Sequence, residues 1–344
     1  MSVDLADYDY ELPPERIAQE PVEPRDAARL LVLERASGAR HHAHVRDLPG
    51  WLRPGDLLVR NATRVLPARL RGRKATGGAA EALLLGEAHA PRRFRALVRA
   101  GGRLRVGQKL RFEGAGLALD AEIAALAPDG SVELAFADGP SPFALGEAPL
   151  PPYIRRNAPR PADAERYQTV YARAPGSVAA PTAGLHFTPA LLEALAARGV
   201  GIADLVLHVG IGTFRPLRLE DVAAGRLHAE RFELPAETAA AVARTRAAGG
   251  RVVAVGTTSA RVLESRAREG GLVEPGAGET ELLLAPGARF RAVDALLTNF
   301  HLPRSSLLLL VAAFAGRERV LEAYADAVAR GYRFYSYGDA MLVL

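Results

Sequence analysis

Residues 63–137 read TRVLPARLRGRKATGGAAEALLLGEAHAPRRFRALVRAGGRLRVGQKLRFEGAGLALDAEIAALAPDGSVELAFA, and the reading of this stretch decides the fold. Short runs of apolar and β-favouring residues (Val65–Leu70, Glu81–Leu85, Phe94–Val98, Lys109–Phe112, Leu117–Leu126, Val132–Phe136) are cut by turns. The turns fall at Gly77-Gly78, Gly101-Gly102, Gly114 to Gly116 and Asp129-Gly130. Six short strands at this spacing, with no helical periodicity between them, predict a small barrel or sandwich. The same region concentrates charge. Fourteen Arg and Lys lie from Arg60 to Arg111 against two acids, Glu81 and Glu87. A positive field of that density is what binding of a polyanion requires.

Outward from this segment the texture changes on both sides. Upstream, a short helix is expected after Pro13-Pro14, then strands at Leu30–Leu33 and Asp56–Val59, the second introduced by the turn Pro54-Gly55. Downstream, Pro149 to Pro152 mark a boundary, after which helix and strand alternate. Pro189–Arg198 is expected as a helix with Pro at its first turn and Gly199 at its end. Ile202–His208 reads as a strand, Ala236–Ala248 as an amphipathic helix and Arg251–Val255 as a buried strand feeding a helix from about Ser259. Leu282–Leu284 and Val293–Leu297 read as strands, and Ser305–Ala315 and Glu318–Arg330 as helices split at Gly316. The expected architecture is α/β plus all-β. An αβα-layered larger domain comes from both chain ends, residues 1–61 and 150–344, with a small six-stranded β-barrel inserted at 62–149.

Composition narrows the function classes. The 344 residues are 49% hydrophobic and 24% charged, with a net charge of +5, as in an ordinary soluble enzyme. With no Cys, disulfides, thiolate metal sites and a cysteine nucleophile are excluded. The acidic start, with Asp4, Asp7, Asp9 and Glu11, is unlike a signal peptide, and the most apolar run, Leu307 to Ala315, is too short to span a bilayer. A cytoplasmic location and no membrane partner are expected, and monomer is the default because no large apolar stripe points to an obligate dimer. There is no Gly-Lys-Ser/Thr, hence no P-loop, and Gly210-Ile211-Gly212 lacks the third glycine of a dinucleotide fingerprint. His41-His42-Ala43-His44 resembles a metal tract, but no distant carboxylate or Cys reinforces it, and no metal is expected.

Five polar turns carry the candidate chemistry, and each adjoins a strand. Pro181–Phe187 (PTAGLHF) offers Thr182, Gly184 and His186 just before a helix N-terminus, where free N–H groups favour an anion. Leu207–Pro216 (LHVGIGTFRP) offers His208, Gly212 and Thr213 at the carboxyl end of a strand, where ligands gather in α/β sheets. His228-Ala229-Glu230 places an imidazole and a carboxylate on one face if extended, a possible acid–base pair or a solvated surface pair. Val255–Arg261 (VGTTSAR) sets Gly256, Thr257, Thr258, Ser259 and Arg261 at a strand-to-helix turn, read either as capping or as a binding turn for a carboxylate or ribose. Thr298–Pro303 (TNFHLP) contributes Asn299 and His301, and Tyr335–Asp339 closes the chain. Convergence of these turns on one pocket is expected. On physical grounds alone the chain reads as an enzyme with a polar small-molecule site and a basic appended domain.

In the same order, these stretches resemble the queuosine-pathway family of S-adenosylmethionine:tRNA ribosyltransferase-isomerases. The resemblance rests on PGDLLVRNATRVLPARL (54–70), GRKATGGAAEALLL (72–85), LPPYIR (150–155), YQTVYARAPGSVAAPTAGLHF (167–187), LHVGIGTFRP, VAVGTTSARVLE (253–264), TNFHLP and YRFYSYGDAM (332–341). Two departures stand out: Ala229 where the family pattern has Ser, and Arg60 where it has Asn or a similar residue. The resemblance implies a β-barrel inserted in an α/β domain, S-adenosylmethionine as co-substrate, and ribosyl transfer to 7-aminomethyl-7-deazaguanine at the wobble position of tRNA. It implies epoxyqueuosine in tRNA, adenine and methionine as products. Such chemistry needs a base beside the sulfonium and an acid for adenine, roles open to His186, His208, His228 and His301, with Glu230 or Asp339 as partners. His186 is the first choice. Thr182, Gly184, Gly212, Thr213, Gly256, Thr257, Thr258, Ser259, Arg261 and Asn299 are the expected S-adenosylmethionine contacts. Arg64, Arg69, Arg71, Arg73 and Lys74 are the expected tRNA contacts.

Overall fold

The structure is a computed structural model that describes residues 4–88, 90–210 and 217–344. Its centre is a nine-stranded sheet. From edge to edge the strands are Gly276–Leu282, Arg226–Leu234, Gly201–Leu207, Leu57–Asn61, Val252–Val255, Ala295–Asn299, Ala340–Val343, Arg29–Leu33 and Arg40–His44. The four from Gly201–Leu207 to Ala295–Asn299 are mutually parallel, and Ala340–Val343 runs antiparallel to the last of them. Strands 252–255, 295–299 and 340–343 are buried at every position, as expected of strands covered on both faces.

The period-2 alternation sorts their side chains into two cores. Leu31, Val59, Ala254 and Leu296 face one way and pack with Val242, Val262, Leu309 and Tyr324 from helices Ala236–Ala247, Gly256–Ser265, Ser306–Ala315 and Arg317–Ala329. Leu30, Leu58, Val253 and Leu297 face the other way and pack with Leu48, Leu191 and Leu195. The larger unit is therefore αβα-layered, built from the two ends of the chain as expected.

Helix Pro189–Ala197 starts where the sequence places it: Pro sits at its first turn and the Thr188 hydroxyl accepts the Leu191 N–H at 3.1 Å. Helix Ser306–Ala315 is capped in the same way by Ser305, with the Leu308 N–H at 3.2 Å. The turn after Val252–Val255 enters its helix at Gly256, three residues before the expected Ser259.

The basic segment closes into a six-stranded antiparallel barrel in the order Val132–Phe136, Arg93–Ala100, Ala79–Glu87, Arg69–Lys74, Lys109–Gly114 and Leu117–Leu126. Phe94, Phe112, Phe136, Leu84, Ile123 and Leu134 fill its interior, and closure leaves no open sheet edge. Two expectations need correction. Leu282–Leu284 is not a strand: the strand there is Gly276–Leu282, which ends where the expected one begins. Val65–Leu70 is not one strand: Thr63–Val65 pairs parallel with Ala174–Ser177 outside the barrel, and the barrel strand begins at Arg69. Pro67 between them lacks the N–H that a continuous ladder needs.

Candidate active site

The four parallel strands end side by side at Leu207, Asn61, Val255 and Asn299, and four of the five polar turns leave from or pack against this edge. Asn61 ties it together. Its amide oxygen accepts the N–H of Leu207 (3.0 Å) and of Thr63 (3.1 Å), while its amide nitrogen donates to Leu207 O (2.9 Å) and reaches Thr258 Oγ1 at 3.3 Å. Asn61 is fully buried, so these bonds hold two strand ends and the hydroxyl turn in fixed relation. The sequence signal was available, a polar Asn ending the apolar run Leu57-Leu58-Val59, but the residue was not singled out.

His208 begins the chain beyond the third strand of the sheet. Its Nδ1 lies 2.8 Å from Thr63 Oγ1, and its ring stacks over Gly176, where a Cβ would come within 2.8 Å of the imidazole. Gly176 has φ +145°, so the position demands glycine on two counts. Burial and the Arg231 charge lower the His208 pKa, and Nε2 has no hydrogen-bond partner among the described residues. Gly212 and Thr213 lie outside the described residues.

Thr182–His186 forms a single 3₁₀ turn laid across strand 295–299 and the start of helix 256–265. Thr182 is partly exposed, and His186 is buried with Nε2 3.2 Å from Asn299 Nδ2. Because that amide also donates to Tyr335 O at 3.1 Å, its orientation is fixed and His186 Nε2 is the acceptor. The proton of the neutral ring therefore sits on Nδ1. Burial, with Arg333 and Arg25 nearby, lowers the His186 pKa to about 4. The amide oxygen of Asn299 is buried and has no partner among the described residues. A small cleft beside the ring is lined by Arg25, Leu185, His186, Ser336, Tyr337 and Gly338.

Gly184 lies under Tyr171, whose hydroxyl would sit 2.1 Å from a Cβ there, and the Arg60 guanidinium covers the Tyr171 ring at 4.1 Å. At the helix N-terminus after His186, Thr188 accepts the Leu191 N–H at 3.1 Å and donates to Asp26 at 2.7 Å.

In the strand-to-helix turn, Gly256 faces Ala183, so the fourth and first polar turns touch. Thr257 and Ser259 are buried, with Ser259 donating back to Val255 O at 2.8 Å, while Thr258 keeps partial exposure. Arg261 points away from the turn into a buried ion pair with Glu230 and donates to Leu282 O at 3.0 Å. The other Glu230 oxygen accepts the Gly210 N–H at 2.9 Å. His228 and Glu230 do not act as one surface: the register shifts between Arg226 and Glu230, which buries Glu230 and leaves His228 exposed.

His301 is also inward-facing, with Nε2 2.7 Å from Thr298 Oγ1 and its backbone held by Tyr324 and Tyr10. Burial lowers its pKa to about 3. Asp339 accepts the N–H groups of Arg29 (3.0 Å) and Arg333 (2.8 Å) and anchors the last strand. Among the described residues, no cluster of three His, Asp or Glu is placed to hold a metal; His42 lies between Tyr332 and Asp326.

Of the expected tRNA contacts, Arg71 is paired with Glu147, Arg69 donates to Leu150 O at 2.6 Å and Arg64 to Ala172 O at 2.6 Å. Lys74 Nζ donates to Gly101 O at 2.6 Å, and Arg73 is exposed with no ion-pair partner among the described residues. Tyr171 and Arg25, which also shape the site, were not identified from sequence; each acts through a contact distant along the chain, while Tyr335 lies in the closing polar segment.

A family described as queuosine biosynthesis protein matches residues 5–343. An S-adenosylmethionine:tRNA ribosyltransferase-isomerase of Anaeromyxobacter sp. (strain Fw109-5) is 57% identical over 343 residues, covering 98% of each chain. Its counterpart in Symbiobacterium thermophilum is 53% identical over 344 residues, covering 99% of each. The crystal structure of an S-adenosylmethionine tRNA ribosyltransferase from Thermotoga maritima is 41% identical, with a TM-score of 0.57 over 98% of this chain and 100% of that one.

Proposed function

Because this chain belongs to the queuosine biosynthesis family of S-adenosylmethionine:tRNA ribosyltransferase-isomerases, we propose that it moves the ribosyl carbons of S-adenosylmethionine onto 7-aminomethyl-7-deazaguanine at the tRNA wobble position. The products are epoxyqueuosine in tRNA, adenine and methionine. The relationship at 53–57% identity over essentially the whole chain carries this reading. The polar groups at the carboxyl ends of the four parallel strands give it a place to happen.

The reaction needs a proton removed from the carbon beside the sulfonium, whose charge acidifies it. The sulfur then leaves as the neutral thioether of methionine, and adenine departs with a proton. His208 suits the first step: it is half-buried, its lowered pKa keeps it unprotonated near neutral pH, and Nε2 has no partner among the described residues while Thr63 holds Nδ1. His186 suits the second as a neutral imidazole whose Nδ1–H donates to charge developing on adenine, with Asn299 fixing the tautomer. Thr182 and Thr258, the partly exposed hydroxyls of their turns, are the S-adenosylmethionine contacts, with backbone at Gly184 and Gly256 beside them. Glu230, Arg261 and His301 are positioning residues. The enzyme works in the cytoplasm as a monomer and uses no metal.

Isotope tracing tests this reading. Label in the ribosyl carbons should enter tRNA, while label in the methyl group should leave with methionine. Methyl label in tRNA would mean a methyltransferase and overturn the proposal.

A further inference from the structure

Barrel strand Arg69–Lys74 starts at the junction with the larger unit, where Arg69 is bridged to Glu147 and donates to Leu150 O, and climbs away from it. Five residue steps at about 3.3 Å place its far end roughly 17 Å from that junction. The turn 75–78 lies there, together with the loop 101–108 that joins Arg93–Ala100 to Lys109–Gly114. Lys74 Nζ, bonded to Gly101 O at 2.6 Å, fastens the two.

The loop is well held. The Gly107 N–H donates to Ile123 O (2.9 Å), the Ile123 N–H to Gln108 O (3.0 Å) and the Gln108 N–H to Arg105 O (3.2 Å). Residues 73–74 and 101–109 carry Arg73, Lys74, Arg103, Arg105 and Lys109 and no acid. Arg73, Arg103, Arg105 and Lys109 are exposed, and none has an ion-pair partner among the described residues. Of the other barrel cations, Arg71 is neutralised by Glu147, Arg93 by Glu133, Arg95 by Asp129 and Arg111 by Asp120, while Arg99, at the end of its strand beside the loop, is exposed and has no ion-pair partner among the described residues.

We infer that this far rim of the barrel is the docking surface for the tRNA backbone, gripping stem phosphates at a distance from the base undergoing reaction. The inference rests on the proposed function for the identity of the RNA. Arg73 and the loop residues Arg103 and Arg105, with no carboxylate paired to them among the described residues, match a regular phosphate array better than the strand arginines already engaged within the protein; Lys109 lies opposite Glu122 and contributes less. A double-helical stem lying along the barrel carries phosphates continuously along its axis, so its near strand keeps presenting them to the rim. The rim supplies grip without sequence, and the strand-end site supplies the base.

The test is a charge-reversal triple variant, Arg73→Glu/Arg103→Glu/Arg105→Glu, of the full chain. Its control is Arg198→Glu/Arg244→Glu/Arg319→Glu, three exposed arginines of the larger unit with no ion-pair partner among the described residues. Equilibrium binding to tRNA bearing 7-aminomethyl-7-deazaguanine at the wobble position is measured across a salt series, with adenine release as a second readout. The rim variant should bind tRNA about tenfold or more weakly, and its salt slope should fall by about 2–3 as three phosphate contacts are lost. Its turnover at saturating tRNA and its KM for S-adenosylmethionine should be those of the parent, which also shows that it folds. The control should bind like the parent. Unchanged tRNA affinity and salt slope in the rim variant would overturn the inference, as would equal weakening by the control. Absence of adenine release from the parent would instead sink the proposed function, while the binding data would still decide on the rim.

Discussion

Replacing Glu230 with Gln removes one charge from a pair whose side chains are 6% and 7% exposed. The substitution keeps an acceptor for the Gly210 N–H but leaves the Arg261 guanidinium buried with only the carbonyls of Leu282 (3.0 Å) and Thr280 (3.4 Å). Losing one partner of a buried pair costs about 3–5 kcal/mol, because the remaining charge stays desolvated. Arg261→Met should cost a similar amount by stranding the carboxylate. The double variant Glu230→Gln/Arg261→Met has no buried charge left at this point. Its loss should fall short of the sum of the singles by about 2–3 kcal/mol. Equilibrium urea unfolding of the four proteins gives the cycle directly, provided the m-values agree. Additive singles, each under about 1 kcal/mol, would show that the pair is solvated and that the positioning role is wrong. Turnover separates the roles further: folded Glu230→Gln protein should keep its kcat at saturating substrates. A collapse of kcat with stability unchanged would return Glu230 to the chemistry.

Gly184→Ala should destabilise by about 1–3 kcal/mol through overlap with the Tyr171 hydroxyl; Tyr171→Phe should restore part of the loss and be close to neutral alone, since that buried hydroxyl has no partner among the described residues. Asn61→Ala unpairs the buried N–H groups of Leu207 and Thr63 and should cost at least about 2 kcal/mol in the same unfolding assay. Thr258→Val should raise the Kd for S-adenosylmethionine, read by calorimetry, and leave tRNA affinity unchanged. Acid should destabilise the protein through His186 and His301, whose folded pKa values of about 4 and about 3 lie below the unfolded value of about 6.5. Their stabilisation is complete above that unfolded value. As pH falls below it the unfolded chain takes up protons the fold refuses, and stability drops by about 1.4 kcal/mol per pH unit for each ring, flattening once the folded values are passed. A His301→Gln variant should show about half this slope; an unchanged slope would contradict the burial argument.

Much of this was legible because the signals were local. The all-apolar Val252–Val255 followed by Gly256-Thr257-Thr258 marked a buried parallel strand entering a site, and Gly-separated short runs marked the barrel. What escaped was set by distant pairing. Strand Arg226–Leu234 carries a bulge that no alternation betrays, so the His228–Glu230 face was misjudged and the true partner, Arg261, lies 31 residues on. Gly276–Leu282, with two glycines and two glutamates, lacks a strand pattern because it is a largely exposed edge, and His41-His42-Ala43-His44 is likewise an edge strand. The basic count marked the barrel as a candidate polyanion surface but could not tell Arg71, cancelled by Glu147, from Arg105, which has no ion-pair partner among the described residues. That distinction depends on where acids from other segments fold back.

The central claim is that the strand-end site transfers ribose from S-adenosylmethionine to tRNA, and product stoichiometry tests it most directly. Purified protein is incubated with S-adenosylmethionine and tRNA bearing 7-aminomethyl-7-deazaguanine, and adenine, methionine and modified nucleoside are quantified together. Equal amounts of all three are predicted, with formation lost in His208→Ala. S-adenosylhomocysteine in their place, or tRNA binding without any adenine, would contradict the account.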